Sequence, residues 1–188
     1  MKLGGIEAGG TKMVCAIGDE QGNIFDRAVF PTETPDITVP KMIDYFRDKG
    51  IEALGIGCFG PVDLNRKSPT YGYITSTPKL AWRFYDFAGA FREALQIPVG
   101  FDTDVNGAVL GEVRFGAAKG CENALYITIG TGVGVGAYIN GKLLHGLMHP
   151  EGGHIFLQKH PKDTYAGCCP YHGACLVTWN PVSILRLN

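Results

Sequence analysis

Glu7-Ala8-Gly9-Gly10-Thr11-Lys12 and Ile129-Gly130-Thr131-Gly132-Val133-Gly134-Val135-Gly136 are two glycine-rich turns, each set between short β-branched runs. Glycine has no Cβ and takes φ > 0 freely, so such a turn lets backbone N–H groups come close to an anion. Two of them facing each other could grip one polyphosphate. An acidic strand end, Asp102 and Asp104, lies between them in sequence. The combination points to phosphate handling.

Outward from these turns the chain is organised by repetition. Residues 2–7, 12–17 and 24–30 read as three strands of a meander, joined by the first glycine turn and by Gly18-Asp19-Glu20-Gln21-Gly22-Asn23. Residues 36–49 carry Ile37, Met42, Ile43 and Phe46 at helical spacing and stop at Gly50, and residues 53–58 return as a buried strand. A second amphipathic helix is predicted over 84–95, a strand over 97–101 and a third helix over 105–119, stopped by Gly120. The opening pattern then recurs: a strand over 123–129, the second glycine turn, a strand over 133–139, the hairpin signal Asn140-Gly141, and Lys142-Leu143-Leu144.

The recurrence discriminates between nucleotide-binding readings. Gly132, Gly134 and Ala137 satisfy the spacing of a dinucleotide fingerprint, but that fingerprint needs a helix directly after the turn to bind the pyrophosphate, and the residues here read as a hairpin. A Walker-type loop fails as well, because Lys12 is followed by Met13 and the turn leads into a strand. Tight hairpin punctuation is the purely structural alternative for either turn.

Composition bounds the rest. A chain of 188 residues with 45% hydrophobic residues can bury a substantial core as one large or two small domains. No apolar run approaches bilayer length, and Met1-Lys2-Leu3-Gly4-Gly5 lacks the core of a signal peptide, so a cytoplasmic protein is expected. A formal charge of −1 without any Lys/Arg block argues against nucleic acid as a partner. Six cysteines in such a chain read as thiols or metal ligands. Cys15, Cys58 and Cys121 stand alone and suit small buried hydrophobes, whereas Cys168, Cys169 and Cys175 gather around His172.

Taken together, the first glycine turn, Gly57-Cys58-Phe59-Gly60-Pro61-Val62-Asp63, Asp104-Val105-Asn106, the second glycine turn, Glu151-Gly152-Gly153-His154 and the Cys/His cluster resemble the ROK family of sugar kinases over residues 1 to about 176. Cys169-Pro170-Tyr171-His172-Gly173-Ala174-Cys175 is similar to the bacterial fructokinase branch in particular. The resemblance implies an α/β, actin-like ATPase (ribonuclease H-like) fold with ATP held between two lobes, 1–118 and an incomplete second lobe over 119–188. It implies ATP with Mg²⁺ as phosphoryl donor and a small-molecule sugar as acceptor, with a homodimer as a compatible assembly. Gly9, Gly10, Thr11, Lys12, Gly130, Thr131, Gly132 and Gly134 are then the nucleotide-facing residues.

Phosphoryl transfer to a sugar hydroxyl needs positioning, charge neutralisation and a carboxylate that accepts the hydroxyl proton. Asp104 follows a strand end and precedes a predicted helix, which places it at a sheet's C-terminal edge. A helix N-cap is the competing reading of the same residue. By resemblance Asp104 is the base, with Asn106 following it; Asp102 stays the second candidate. Many relatives carry Asn before the base, and here Thr103 occupies that sugar-facing position. Glu151 and His154 share one tight loop suited to neighbouring hydroxyls. The resemblance makes both sugar ligands, with Gly60 and Pro61 adding backbone contacts and Thr77-Pro78-Lys79-Leu80-Ala81-Trp82 closing over the sugar. Core packing is the alternative for Trp82.

His154, Cys169, His172 and Cys175 supply four ligands, enough to close a tetrahedral structural zinc site. Cys168 is adjacent, and the family's spacing selects Cys169. His145, His149 and His160 read as surface residues. The end of the chain departs from the family. Relatives follow the last cysteine with Leu-Glu, whose carboxylate binds sugar, while Leu176 is followed here by Val177; one such charged hydrogen bond contributes roughly 1.5–3 kcal/mol. Residues 177–188 match no motif of the family, and the adenine pocket of relatives lies further on, so an incomplete fructokinase is expected. Its bare second sheet would expose apolar surface. A kinase for another hexose and a sugar- or zinc-binding form without turnover are the alternatives. A sugar-responsive regulator would need a DNA-binding element ahead of the first glycine turn.

Overall fold

Period-two burial builds the first sheet. In β2 (Lys12–Asp19) Met13, Cys15 and Ile17 are fully buried, and β2 is the middle strand of an antiparallel meander with β1 (Lys2–Ala8) and β3 (Ile24–Pro31). The chain continues through α1 (Pro35–Phe46), β4 (Ala53–Cys58), a small ribbon of β5 (Tyr73–Ile74) with β6 (Tyr85–Asp86), α2 (Phe87–Leu95), β7 (Val99–Thr103) and α3 (Asp104–Phe115). β4 and β7 join β1 in parallel, giving the order β3-β2-β1-β4-β7. A second sheet, ordered β10-β9-β8, follows from β8 (Ala124–Ile129), β9 (Val133–Ile139) and β10 (Lys142–Leu143). The computed structural model describes residues 1–130, 132–147, 149–167 and 169–178.

The core is aromatic and lies where α1 and α2 meet the first sheet: Phe46, Trp82, Phe87 and Phe91 are each 2% exposed or less. Trp82 stands edge-on to Phe59, Tyr85 and Phe87. Its indole N–H donates to the Glu33 carbonyl at 2.8 Å, so the tryptophan is a core residue with its polar end satisfied. Buried Asn106, Val109 and Val113 form one face of α3, which packs against β4 and β7 on one side and β8 and β9 on the other.

Helix boundaries differ from the expectations in three places, each for a local reason, and the strand expected over 97–101 lies at Val99–Thr103. Helix α1 stops at Phe46 instead of residue 49 because Arg47 turns extended and Asp48 takes φ 58°. Helix α2 starts at Phe87 instead of residue 84, since Tyr85 and Asp86 pair with β5 and the Asp86 carboxylate caps the helix through the Gly89 N–H at 2.8 Å. Helix α3 ends at Phe115, where the Glu112 carboxylate takes the Ala117 N–H. The Asn140-Gly141 turn has φ 49° and 75°, as a type I′ hairpin requires. Cys15 and Cys58 are buried, while Cys121 is exposed.

Leu125, Ile127 and Ile129 of β8 are all more than half exposed, the bare apolar sheet surface expected for this segment. Among the described residues no helix is long and apolar enough to cross a membrane.

The two sheets meet at glycine. A Cβ on Gly136 of β9 would run into the Val105 carbonyl in the first turn of α3, and one on Gly134 would stand 2.8 Å from Val105 Cγ1. At Gly55 of β4 nothing lies within 4 Å. Gly136→Ala is therefore expected to destabilise the protein by about 1–3 kcal/mol through overpacking, while Gly55→Ala stays within about 0.5 kcal/mol of the parent. Urea denaturation of the two variants checks the contrast, and equal effects would deny the contact its role.

Candidate active site and metal centre

Register gathers the site. Ala8 lies beside Cys58 and Cys58 beside Thr103, so the loops leaving β1, β4 and β7 emerge at one edge of the first sheet. Parallel strands place ligands at that carboxyl edge. The contact of β9 with α3 brings the second glycine turn to the same edge. The result is a cleft of about 310 Å³ lined by Gly10, Gly60, Thr103, Asp104, Thr128, Gly130, Gly132, Gly134, His149 and Glu151 among others. A neighbouring cavity of about 420 Å³, lined by Val62, Asp63, Asn65, Thr75 and His145, contains neither glycine turn nor Asp104. The glycine turns and Asp104 therefore converge on the first.

Each glycine turn is closed by its own backbone. The Gly9 N–H donates to the Lys12 carbonyl at 2.9 Å, and a Cβ on Gly9 would stand 2.7 Å from that oxygen. The Thr32 hydroxyl and N–H tie the Gly9 and Thr11 carbonyls to the end of β3. Gly130 N–H donates to the Gly132 carbonyl at 2.9 Å. Gly10 faces the cleft, whereas Thr11 and Lys12 are exposed and lie outside its lining. Thr131 lies outside the described residues. Lys79 was not marked individually in the sequence, yet its Cε lies 3.3 Å from where a Cβ on Gly10 would stand, placing a cationic stem across the first turn.

Asp104 and Asp102 are two residues apart and differently committed. Thr103 caps α3, its hydroxyl accepting the Asn106 N–H at 3.2 Å, so the N-cap role passes to threonine and leaves Asp104 in the first turn. Burial raises the Asp104 carboxyl above its ordinary value; the Val105 N–H opposes this and the charges of Glu7 and Glu151 add to it. Asp102 accepts from the Asn106 amide at 2.8 Å and pairs with His145 Nε2 at 2.8 Å through its other oxygen. Both Asp102 oxygens are occupied. Asn106, 1% exposed, spends its amide on Asp102, lies outside the cleft lining and braces the helix start. Pro61 also stands outside the lining; its carbonyl accepts from the Thr75 N–H and hydroxyl.

The Glu151 loop is short and anchored. Glu151 precedes a single 3₁₀ turn, Gly152–His154, whose His154 N–H donates to the Glu151 carbonyl at 2.9 Å. Glu151 lines the cleft, while His154 turns Nδ1 away into the Cys/His cluster. Val177, where relatives were expected to carry a carboxylate, lies with Cγ2 3.4 Å from the Cβ position of Gly132. His149 corrects the expectation of a surface residue. It is 7% exposed, accepts the Val62 N–H on Nε2 at 3.2 Å and has Nδ1 3.5 Å from a Glu151 oxygen. Only its position two residues before Glu151 hinted at this. His145 likewise engages Asp102, although it remains partly exposed.

His154, Cys169, His172 and Cys175 bring one ligand atom each to within 4.8 Å of the others. The Nδ1–Nδ1 separation is 3.3 Å, and Nδ1–Sγ separations run from 3.6 to 3.7 Å. A tetrahedral ion with metal–nitrogen and metal–sulfur bonds of about 2.0 and 2.3 Å needs edges of about 3.3 and 3.5 Å. The donor set and spacing fit a four-coordinate metal. Reciprocal Cys169–Gly173 backbone hydrogen bonds of 2.9 and 3.0 Å close the loop, with Gly173 at φ 64°. Cys168 lies outside the described residues.

Comparison with known proteins agrees with this geometry. A protein of Bacillus subtilis (strain 168) is 59% identical over 173 residues, covering 92% of this chain and 58% of its own length. The fructokinase of Lactococcus lactis subsp. cremoris is 49% identical over 175 residues, with 92% of this chain and 59% of that protein covered. The crystal structure of a ROK family glucokinase from Streptomyces griseus in complex with glucose and AMPPNP superposes with a TM-score of 0.73 at 28% identity, covering 96% of this chain and 56% of that one. The chain thus spans somewhat under three fifths of the length of these curated relatives. Its α/β architecture is part of the actin-like ATPase fold that the ROK kinases share. The sequence model of the ROK family matches residues 3–180, a span that takes in both glycine turns, the Asp104 edge and the metal cluster, and the chain belongs to that family.

Proposed function

We propose that the chain carries the sugar- and phosphate-facing part of an ATP-dependent fructokinase, which moves the γ-phosphoryl of MgATP onto the C6 hydroxyl of D-fructose. The observation that carries the reading is the placement of Asp104: a half-buried carboxylate with a raised pKa, in a cleft walled by both glycine turns. Residues 1–118 supply one lobe, and residues from 119 open the second.

On this reading the glycine turns orient the triphosphate, and Gly10 and Gly130 to Gly134 offer backbone to its oxygens. Asp104 accepts the hydroxyl proton as the C6 oxygen attacks the γ-phosphorus. Its raised pKa makes it a stronger base than an ordinary aspartate, and the start of α3 faces the same cleft with a positive dipole end. Glu151 accepts hydrogen bonds from sugar hydroxyls, while Thr103 and Gly60 line the same space. Fructose is favoured over glucose by relatedness. Four relatives named fructokinases are 44–49% identical, against 33–34% for glucokinases. The ion that the His/Cys cluster fits best is zinc, and four protein ligands leave it no open position, so its contribution is structural.

A sugar panel of fructose, mannose, glucose and N-acetylmannosamine, read by ADP release, is expected to give the highest kcat/KM with fructose; another sugar in first place would reassign the substrate. Asp104→Asn is expected to lower turnover by about 10²–10⁴-fold while leaving fructose binding in place, and unchanged turnover would remove Asp104 as base.

The raised pKa also fixes a stability trend. A carboxyl that holds its proton more tightly in the folded than in the unfolded state stabilises the fold below the unfolded value of 3.8, and this contribution is lost as pH rises through the folded value. Asp104→Asn should therefore melt higher than the parent at neutral pH, with the difference vanishing in acid. A lower melting temperature at neutral pH would contradict the burial of an ionised Asp104.

For the metal, elemental analysis should find about one zinc per chain. Cys175→Ser should lose it together with sugar affinity. Full metal retention in that variant would dissolve the site.

A further inference from the structure

We propose that His149 is a positioning residue that sets the Glu151 carboxylate for the sugar; the inference rests on the sugar-kinase reading above. The imidazole is the buried member of the pair, its side chain 4% exposed against 52% for Glu151. Left alone, so exposed a glutamate samples several rotamers.

The backbone selects the tautomer. The Val62 N–H can only donate, so the histidine Nε2 it meets at 3.2 Å carries the lone pair, and the neutral ring bears its proton on Nδ1. That N–H faces Glu151 Oε1 across 3.5 Å, the outer edge of a hydrogen bond, and a small carboxylate movement on sugar binding closes it. Gly60 makes room for the arrangement. A Cβ there would stand 3.0 Å from His149 Cε1, 3.3 Å from Nε2 and 3.6 Å from Glu151 Oε1. The Gly60 loop, the imidazole and the carboxylate thus form one stack on the cleft wall. His149 aims Glu151 and joins it to the loop leaving β4.

The test uses the purified protein with fructose and MgATP. His149→Ala is expected to raise KM for fructose by about tenfold, with kcat and KM for MgATP within about twofold of the parent. His149→Gln should recover much of the loss, because its amide oxygen can accept from Val62 while its NH₂ faces Glu151. The double variant His149→Ala with Glu151→Gln should lose no more than Glu151→Gln alone. Additive losses, or an unchanged fructose KM in His149→Ala, would overturn the proposal. If loss of the Val62 acceptor unfolds the alanine variant, His149→Glu, whose carboxylate still accepts from Val62 but cannot donate to Glu151, decides by the same criteria. A parent that turns over no sugar sinks the kinase reading alone, since fructose affinity by calorimetry reads the same coupling without chemistry. A parent that binds fructose no better than Glu151→Gln overturns the His149 proposal as well.

Discussion

The close approach of β9 to the first turn of α3 is the constraint on which the rest of the structure depends. Glycine at 134 and 136 lets a strand of the second sheet lie on Val105, one residue past Asp104. Any larger residue at 136 would lift the second glycine turn away from the edge where β1, β4 and β7 end. The glycines of β9 thus serve both contacts from one face of the strand: Gly134 lines the cleft and, with Gly136, admits the helix. Helix α3 is in turn braced by Thr103 and by the Asp102–Asn106 contact, so the catalytic candidate stands on backbone fixed from three directions.

The two aspartates illustrate how environment divides like residues. Asp102 is met by an amide and an imidazole and lies outside the cleft lining. Asp104 meets only backbone N–H groups, those of Val105 and its own residue, and two neighbouring carboxylates, and desolvation outweighs those bonds. Two carboxylates two residues apart thus have opposite surroundings, one paired on both oxygens and the other facing the cleft. Sequence spacing alone left both as candidate bases.

Local signals were legible where local chemistry decides. The meander, its recurrence and the Asn140-Gly141 hairpin follow from alternating burial and turn residues, and each strand lies within two residues of its expected bounds. The four side chains of the His/Cys cluster were legible because short spacing limits where their atoms can go. Contacts between distant segments were not legible. His149 looks like any loop histidine until the Val62 amide, 87 positions away, lies against it. Asn106 follows the expected base at the family's spacing, yet its side chain folds back on Asp102. Lys79 crosses the first turn only because Trp82 is packed in the core and pins the loop. Helix ends slipped for a similar reason, since Asp48 in the left-handed region and the Asp86 cap are chosen by what they pack against.

The segment after β10 lacks an apolar core of its own among its described residues. Ile155, Phe156 and Leu157 are exposed, so this stretch buries little apolar surface of its own among the described residues. Loops without a core are held by cross-links or ligands, because ordering their backbone costs about 1–2 kcal/mol per residue. Here the held loop reaches the cleft: His154 is a cluster residue, its N–H bonds the Glu151 carbonyl, and Glu151 faces His149. A closed ligand shell at one end and a buried imidazole at the other would leave the carboxylate few orientations. Affinity for a polyhydroxylated substrate gains most from such restriction, since each hydroxyl contact depends on direction as well as distance.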